Sequence, residues 1–274
     1  NLPKMDVKKV LYISQEITPY LPKNQLSSLC CDLAQGIQEL GVEVRTFMPK
    51  YGFINERRNQ LHEVQRLSGI NVIIDDTDHP LIIKVATLLP SRMQVYFIYN
   101  EDYFQKTIVK DLETLNDPEQ NDERCIFFAR SVMETVKKLR WRPDVVHCTG
   151  WVTALAPIYI KNLYNDVPEF RETKIVYALT ADEQTLVAPL NARITKNLLA
   201  DGVPHEILEG LGEENVSYEE LTKLAMSQCD GIVQADQDVN PALLEYAQNC
   251  GKPFLPFPGE EDYVKTYKEF YQSL

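Results

Sequence analysis

VKKVLYISQEITPYLPKNQLSSLCCDLAQGIQELGVEVRTFMPKYG, residues 7–52, contains one complete structural unit. Lys8–Ser14 is a short run of apolar, β-branched and aromatic residues, which predicts a buried strand. Gln25–Leu40 has apolar residues at helical spacing, and Val42–Met48 predicts a second strand. A strand, a helix and a strand in this order form a right-handed unit with parallel strands. Ligands of such units bind beyond the carboxyl ends of the strands, so the loop Gln15–Gln25 is the first candidate site.

The rest of the chain predicts an α/β fold, with a mainly parallel sheet flanked by helices. Three closely spaced apolar runs, Ile70–Asp75, Leu81–Leu88 and Met93–Tyr99, predict an antiparallel or mixed extension at one edge of that sheet. Residues 53–69 are polar with a helical tendency, and the sequence DDTDHP at 75–80 is typical of a turn.

Composition excludes several classes of partner and site. The chain has 274 residues and a formal net charge of −12, which disfavours nucleic acid and anionic membranes as partners. No apolar run reaches the roughly 18 residues that a membrane helix needs, and no secretory leader is visible. The six cysteines lack C-x-x-C spacing and the four histidines are scattered. We therefore predict reduced thiols in the cytoplasm, no metal site and no cofactor.

The loop after the first strand carries a resemblance to a known family. Glu16, Pro19 and Tyr20 form Glu-x-x-Pro-aromatic, and the second strand leads into Met-Pro-x-Tyr-Gly. This pattern resembles the start of bacterial glycogen synthases and plant starch synthases. In that family the loop holds Lys-x-Gly-Gly-Leu. With Leu26 in the last position, the family's lysine is replaced and its glycines are missing: the matching residues are Pro22, Asn24 and Gln25, and Lys23 lies one place late.

The missing glycines bear directly on ligand binding. Glycines there let backbone N–H groups approach a diphosphate, whereas Asn and Gln side chains crowd that space. The resemblance implies a nucleotide-sugar loop, and the departures favour a surface loop that has lost its ligand. The candidate residues of this loop are Glu16, Lys23, Asn24 and Gln25.

A second motif of the family follows the strand Asp144–Cys148. The synthases have His-x-His-Asp-Trp, and here the second histidine is Thr149 and the aspartate is Gly150. Threonine can donate a hydrogen bond but cannot carry a proton near neutral pH. After the strand Lys174–Leu179, the family's Thr-x-His-Asn is also lost. The residues that the resemblance places near the sugar are His147, Thr149, Trp151 and Thr180.

Each of these residues also has a structural interpretation. His147 at the end of a buried strand could instead be hydrogen-bonded to the backbone, and Trp151 is more often a core residue than a stacking platform. The pair Asp182–Glu183 is interpreted as a solvated turn, because aspartate is common in turns for local backbone reasons. No residue is assigned a catalytic role.

The resemblance implies the N-terminal, acceptor-side domain of a GT-B glycosyltransferase, with a Rossmann-like fold. Such an enzyme transfers glucose from ADP-glucose to an α-1,4-glucan. Residues 1–274 are expected to form a single domain of this type, with residues 258–274 as a terminal helix that packs back on it. No segment resembles the donor-binding domain, so transfer needs a separate donor-domain chain or a second copy in a homodimer. The alternative is a catalytically silent module that binds a glucan, a nucleotide-sugar or a protein partner.

Overall fold

The computed structural model describes residues 2–111 and 117–274. The strands are β1 (Lys9–Ser14), β2 (Glu43–Pro49), β3 (His62–Glu63), β4 (Asn71–Ile74), β5 (Thr77–Pro80), β6 (Ile82–Leu88), β7 (Met93–Tyr99), β8 (Val145–Thr149), β9 (Lys174–Leu179), β10 (Leu190–Asn191), β11 (Asn215–Val216), β12 (Gly231–Gln234) and β13 (Phe254–Leu255). The helices are α1 (Gln25–Glu39), α2 (Glu101–Phe104), α3 (Asn121–Leu139), α4 (Ala156–Leu163), α5 (Arg193–Asp201), α6 (Tyr218–Ser227), α7 (Pro241–Asn249) and α8 (Tyr263–Gln272).

Nine of the described strands form one sheet in the order β13-β12-β9-β8-β1-β2-β7-β6-β3. The pairs from β13 to β7 are parallel, and β6 pairs antiparallel with both β7 and β3. The predicted α/β fold, with its mainly parallel sheet and its antiparallel edge, is therefore confirmed. The run Ile70–Asp75 does not extend that edge as predicted, because β4 pairs with β5 in a separate two-stranded sheet. Strands β2, β7, β6 and β3 lie on one side of β1, and the later strands β8, β9, β12 and β13 lie on the other. The strand order therefore reverses between β1 and β8. This reversal is where ligands of open α/β sheets bind.

The first unit forms as its periodicity predicts. Helix α1 buries Cys30, Leu33, Ala34 and Ile37 on one face. Gly41 follows the helix with a φ of +89°, a conformation that is free of strain only for glycine.

Two local predictions are wrong. Residues 53–69 form turns and the short strand β3 instead of a helix. Their backbone pairs with β6, where the Val64 N–H donates to the Ile83 carbonyl at 2.8 Å, so tertiary pairing overrides a weak helical propensity. Within DDTDHP, only Asp75 and Asp76 turn, with φ of +50° and +59°, and the next four residues form β5 against β4. Aspartate tolerates this left-handed conformation better than most residues, so two residues are enough for the hairpin.

The terminal helix α8 lies across one face of the sheet, beside α1. A Cβ added at Gly36 of α1 would lie 2.7 Å from Val264, and one added at Gly231 would lie 2.9 Å from Phe270. These two glycines therefore let α8 approach both α1 and the start of β12. The Met5 N–H also donates to the Gln272 carbonyl at 2.8 Å, which joins the two ends of the described chain.

Candidate functional site

The strand-order reversal brings the ends of β1 and β8 together. Ser14 pairs with Thr149, and the Gln15 N–H donates to the Thr149 carbonyl at 3.0 Å. Gly150 follows with φ +100° and ψ 151°, a conformation that is essentially restricted to glycine. A Cβ on Gly150 would lie 2.8 Å from Oε1 of Gln15 and closer still to its Cβ. The fully buried Gln15 side chain therefore fills the space beside Gly150.

We expect Gly150→Ala to lower the free energy of unfolding by about 2 kcal/mol, because the new methyl group adds backbone strain and crowding against Gln15. Chemical denaturation of the wild type and the variant measures the loss. Gly41→Ala is the matched control, since Gly41 also has a positive φ but has nothing within 4 Å of an added Cβ. Equal losses in the two variants would show that crowding by Gln15 contributes nothing.

In the candidate loop after β1, side chains of the loop form hydrogen bonds with the backbone at the start of α1 and with each other. Asn24 caps α1: its Oδ1 accepts from the Ser27 N–H at 2.8 Å, and its own N–H donates to Ser27 Oγ at 2.9 Å. The Asn24 amide also donates to the carboxylate of Glu16. Glu16 is 1% exposed, and burial raises the pKa of its carboxyl group. Lys23 and Gln25 lie on the exposed side of the loop.

In the turn after β8, backbone N–H groups also donate to side chains of the protein. The Trp151 N–H donates to Asp182 Oδ2 at 2.6 Å, and the Val152 N–H donates to Gln15 Oε1 at 3.2 Å. The indole N–H of Trp151 donates to Thr185 Oγ1 at 2.8 Å, and the residue is only 1% exposed. Trp151 is therefore a core residue at this turn. Of the two interpretations that the sequence left open, a core residue or a stacking platform for a sugar, the structure supports the first. Thr149 is also buried, at 3% exposure.

Asp182 organises this region, and its interpretation as a solvated turn residue is wrong. It is 4% exposed, and besides the Trp151 N–H it accepts from Thr180 Oγ1 at 2.9 Å and from the hydroxyl group of Tyr218. Burial is the largest influence on its carboxyl group and raises the pKa, against the lowering effect of these hydrogen bonds. The sequence places Asp182 three residues after the strand Lys174–Leu179 but contains no sign of its partner Tyr218, 36 residues further on.

A groove of about 350 Å³ opens at the carboxyl ends of β9 and β12, next to this network. Thr180 is the predicted site residue that lines it. Sequence reasoning missed the others, although two of them, Asp238 and Asn240, belong to a polar stretch that follows a parallel strand. The lining residues are Thr180, Ala181, Glu183, Gln184, Tyr218, Asp238 and Asn240.

His147 lies away from this groove, under the terminal helix. It is 2% exposed, and its Nδ1 is 2.7 Å from the Tyr271 hydroxyl, which in turn is 3.0 Å from the Tyr12 hydroxyl. Its ring packs against Tyr12, Tyr267 and Tyr271. Burial lowers the pKa of His147 to about 3, so the imidazole is neutral near pH 7. The partner of this buried histidine is a tyrosine hydroxyl rather than the backbone.

Within residues 2–111 and 117–274, no group of three or more His, Cys, Asp or Glu residues is placed to hold a metal ion. Over the same residues, the structure contains no helix that is long and apolar enough to span a membrane.

Comparison with known proteins identifies glycogen and starch synthases as relatives. A family model described as the starch synthase catalytic domain matches residues 9–181. The glycogen synthase of Chlorobium phaeobacteroides is 36% identical over 208 residues, which are 76% of this chain and 41% of that protein. The glycogen synthase of Chlorobium luteolum is 34% identical over 230 residues, or 84% of this chain and 47% of that protein. The chain thus spans less than half the length of these curated relatives.

A solved structure gives the same fold. The catalytic domain of starch synthase IV from Arabidopsis thaliana, bound to ADP and acarbose, superposes with a TM-score of 0.70 at 16% identity. The match covers 92% of this chain and 51% of that one.

The family model matches residues 9–181. Five of the seven groove residues, those from Glu183 to Asn240, lie beyond that stretch.

Proposed function

Because the chain belongs to the starch synthase catalytic domain family, we propose that it is a synthase-type module that binds an α-glucan and does not by itself transfer glucose. The relative from Arabidopsis thaliana was solved with ADP and acarbose, which supports a nucleotide and a glucan as the ligands to test here. In this proposal residues 1–274 act as one domain, and the terminal helix belongs to its core. Its six free cysteines favour a reducing compartment such as the cytoplasm.

The occupied N–H groups at the strand-order reversal carry this proposal. A diphosphate binds at such a point by accepting hydrogen bonds from backbone N–H groups at the start of a helix or turn. Here the Ser27 N–H donates to Asn24, the Trp151 N–H to Asp182, and the Val152 N–H to Gln15. A phosphate group would have to displace all three side-chain acceptors, and two of them are buried.

The altered motif positions support the same proposal. Thr149 cannot exchange a proton near neutral pH as the family's histidine can. Gly150 cannot regain the family's aspartate while Gln15 fills the neighbouring space, because any Cβ there would collide with it. The packing of Gln15 in this chain therefore requires glycine at position 150.

The second candidate is glucosyl transfer completed by a donor-binding half. The observation that favours it is the preserved frame: β1, the loop, α1 and β8 stand where the family places them, and Glu16 is held at the start of that loop. In this case the cap formed by Asn24 must open when the donor binds.

We expect the pure chain to transfer no glucose from ADP-glucose to glycogen, because the donor cannot displace its internal acceptors. Radiolabelled glucosyl groups recovered in precipitated glycogen measure the transfer, and calorimetry with ADP measures donor binding. The variant Asn24→Gly/Gln25→Gly restores the family's glycines and frees the Ser27 N–H. We expect it to bind ADP at least about tenfold more tightly, since one hydrogen bond to a charged group contributes about 1.5–3 kcal/mol.

Two results would contradict this. Steady incorporation of label by the wild-type chain alone would show that it is a complete enzyme. Tight ADP binding by the wild type, unchanged in the glycine variant, would show that the Asn24 cap does not close the donor site. An N-cap asparagine can be replaced by glycine at a cost of a few tenths of a kcal/mol, so the variant is expected to fold.

A further inference from the structure

We propose that a patch of four cations, at the edge of the sheet opposite the candidate site, docks a short acidic segment of a partner protein. The patch lies where β8 and β9 begin, whereas the candidate loop and the groove lie where strands end. A partner bound here leaves the candidate site open, so this inference does not depend on the proposed function. The four residues of this basic patch are Lys138, Arg140, Arg142 and Lys174.

Two hydrogen bonds bring the parts of the basic patch together. The Thr173 hydroxyl donates to the Pro143 carbonyl at 2.8 Å, and the Lys174 N–H donates to the Asp144 carbonyl at 2.9 Å. Lys174 therefore begins β9 directly beside the segment that carries Arg142. The patch thus combines the end of α3 with the starts of two neighbouring parallel strands.

The cations of the basic patch are not neutralised within the protein. Among residues 2–111 and 117–274, no ion pair within 4.0 Å joins any of the four to a carboxylate. Two carboxylates at this edge bind N–H groups instead: Asp144 accepts from the Lys8 and Lys9 N–H groups at 2.8 Å and 2.9 Å, and Glu43 accepts from the Trp141 indole at 2.9 Å. A chain with a net charge of −12 therefore has a local excess of positive charge here.

The backbone of Arg140 indicates a function for its side chain. Arg140 follows α3 in the left-handed conformation, with φ of 53° and ψ of 39°. Glycine is the usual residue at this position after a helix, because it adopts that conformation without strain. Within the described part of the chain, the exposed guanidinium of Arg140 forms no hydrogen bond or ion pair that would offset the strain. A strained residue whose side chain serves no internal contact is explained by a contact with a partner.

The helix dipole explains only part of the basic patch. Cations in the last turn of a helix are stabilised by its carboxyl end, which accounts for Lys138. Arg142 and Lys174 lie outside α3, at the starts of strands, and a sheet has only a small net dipole. Their positive charge therefore has no structural role of this kind.

The chemistry of the partner follows from the size of the patch and the charge around it. A long polyanion, such as a nucleic acid or an anionic membrane, would extend beyond four cations and meet the acidic remainder of the surface. Trp141 is 4% exposed, so this neighbouring aromatic ring offers no platform on which a base could stack. A segment with a few aspartate or glutamate residues fits within the patch, and guanidinium groups bind carboxylates with two parallel hydrogen bonds.

The test is fluorescence anisotropy at low ionic strength, with a labelled octapeptide of alternating aspartate and glutamate. We expect the wild type to bind this peptide and added salt to weaken the binding, because exposed charges are screened. Lys138→Gln/Arg140→Gly/Arg142→Gln should weaken it at least about tenfold, since each exposed ion pair contributes a factor of up to about five. Arg57→Gln/Arg58→Gln/Lys106→Gln is the matched control, because it removes the same charge at exposed turns after β2 and α2.

The single variant Arg140→Gly separates binding from stability. We expect it to bind the peptide up to about fivefold more weakly, and to keep or raise the melting temperature, because glycine relieves the left-handed conformation. A lower melting temperature with unchanged peptide affinity would show that Arg140 has a structural role instead.

Four other results would overturn the proposal. A folded wild type that binds no peptide at low ionic strength has no such docking surface. Equal affinity of the wild type and the triple patch variant would place the peptide elsewhere. Equal losses in the patch variant and its control would mean that total charge, and not the patch, attracts the peptide. Tighter binding of a single-stranded oligonucleotide of the same length would show that the partner is a nucleic acid. None of these results bears on the proposed function.

Discussion

Replacing Arg193 with leucine is expected to lower the free energy of unfolding by about 4 kcal/mol, because it leaves a buried carboxylate without its partner. Asp122 has a fully buried side chain at the start of α3, and Arg193 at the start of α5 meets it with two nitrogens, at 2.9 Å and 3.2 Å. The same guanidinium lies 3.0 Å from Glu123 and donates to the Glu119 carbonyl at 2.8 Å. Urea denaturation at pH 7 measures the loss.

Three variants isolate the cause of this loss. Arg193→Lys keeps the charge but cannot make the forked contact, so we expect an intermediate loss. Asp122→Asn/Arg193→Leu removes the buried charge as well and should recover part of the stability. Arg171→Leu is the control, since Arg171 is an exposed arginine that donates to a backbone carbonyl at 3.0 Å. A loss below about 1 kcal/mol for Arg193→Leu would show that the ion pair contributes no more than a surface pair.

Acidification is expected to destabilise the protein through His147. Its pKa is about 3 in the folded state, against about 6.5 in an unfolded chain. Between these two values the unfolded state binds one more proton than the folded state, so stability falls as the pH falls. The stabilisation is fully present above the unfolded pKa and is lost at up to about 1.4 kcal/mol per pH unit below it, which amounts to about 4 kcal/mol by pH 3.

The measurement is the free energy of unfolding between pH 7 and pH 4 for the wild type and His147→Phe. The variant loses its contact with the Tyr271 hydroxyl and starts from lower stability, but its stability should fall less steeply with acid. Buried carboxyl groups with raised pKa values, such as Asp182, change stability in the opposite direction and cancel in the comparison. The control is His205→Gln, at an exposed position. Parallel curves for the wild type and His147→Phe would rule out this assignment.

Much of the fold could be predicted because its buried strands are contiguous apolar runs. The predicted bounds of β7 and β9 coincide with the observed ones, and α1 differs by one residue. The prediction was wrong at residues 53–69, where pairing with β6 decides the conformation. Less of the candidate site could be predicted. Thr180 was named as a site residue and lines the groove, whereas His147 was named and lies under α8.

The sequence by itself determined the family, the α/β fold and the altered motif positions, because these depend on residue identity and on short-range spacing. Asn24 and Gln25 in place of two glycines can be recognised without coordinates. Only the tertiary structure decided which side chains occupy the space around the altered motif positions. Gln15 beside Gly150, and Asp182 between Trp151 and Tyr218, are contacts between residues 31 to 137 positions apart. Such contacts arise when parallel strands distant in sequence end at the same edge of a sheet, and no local pattern encodes them.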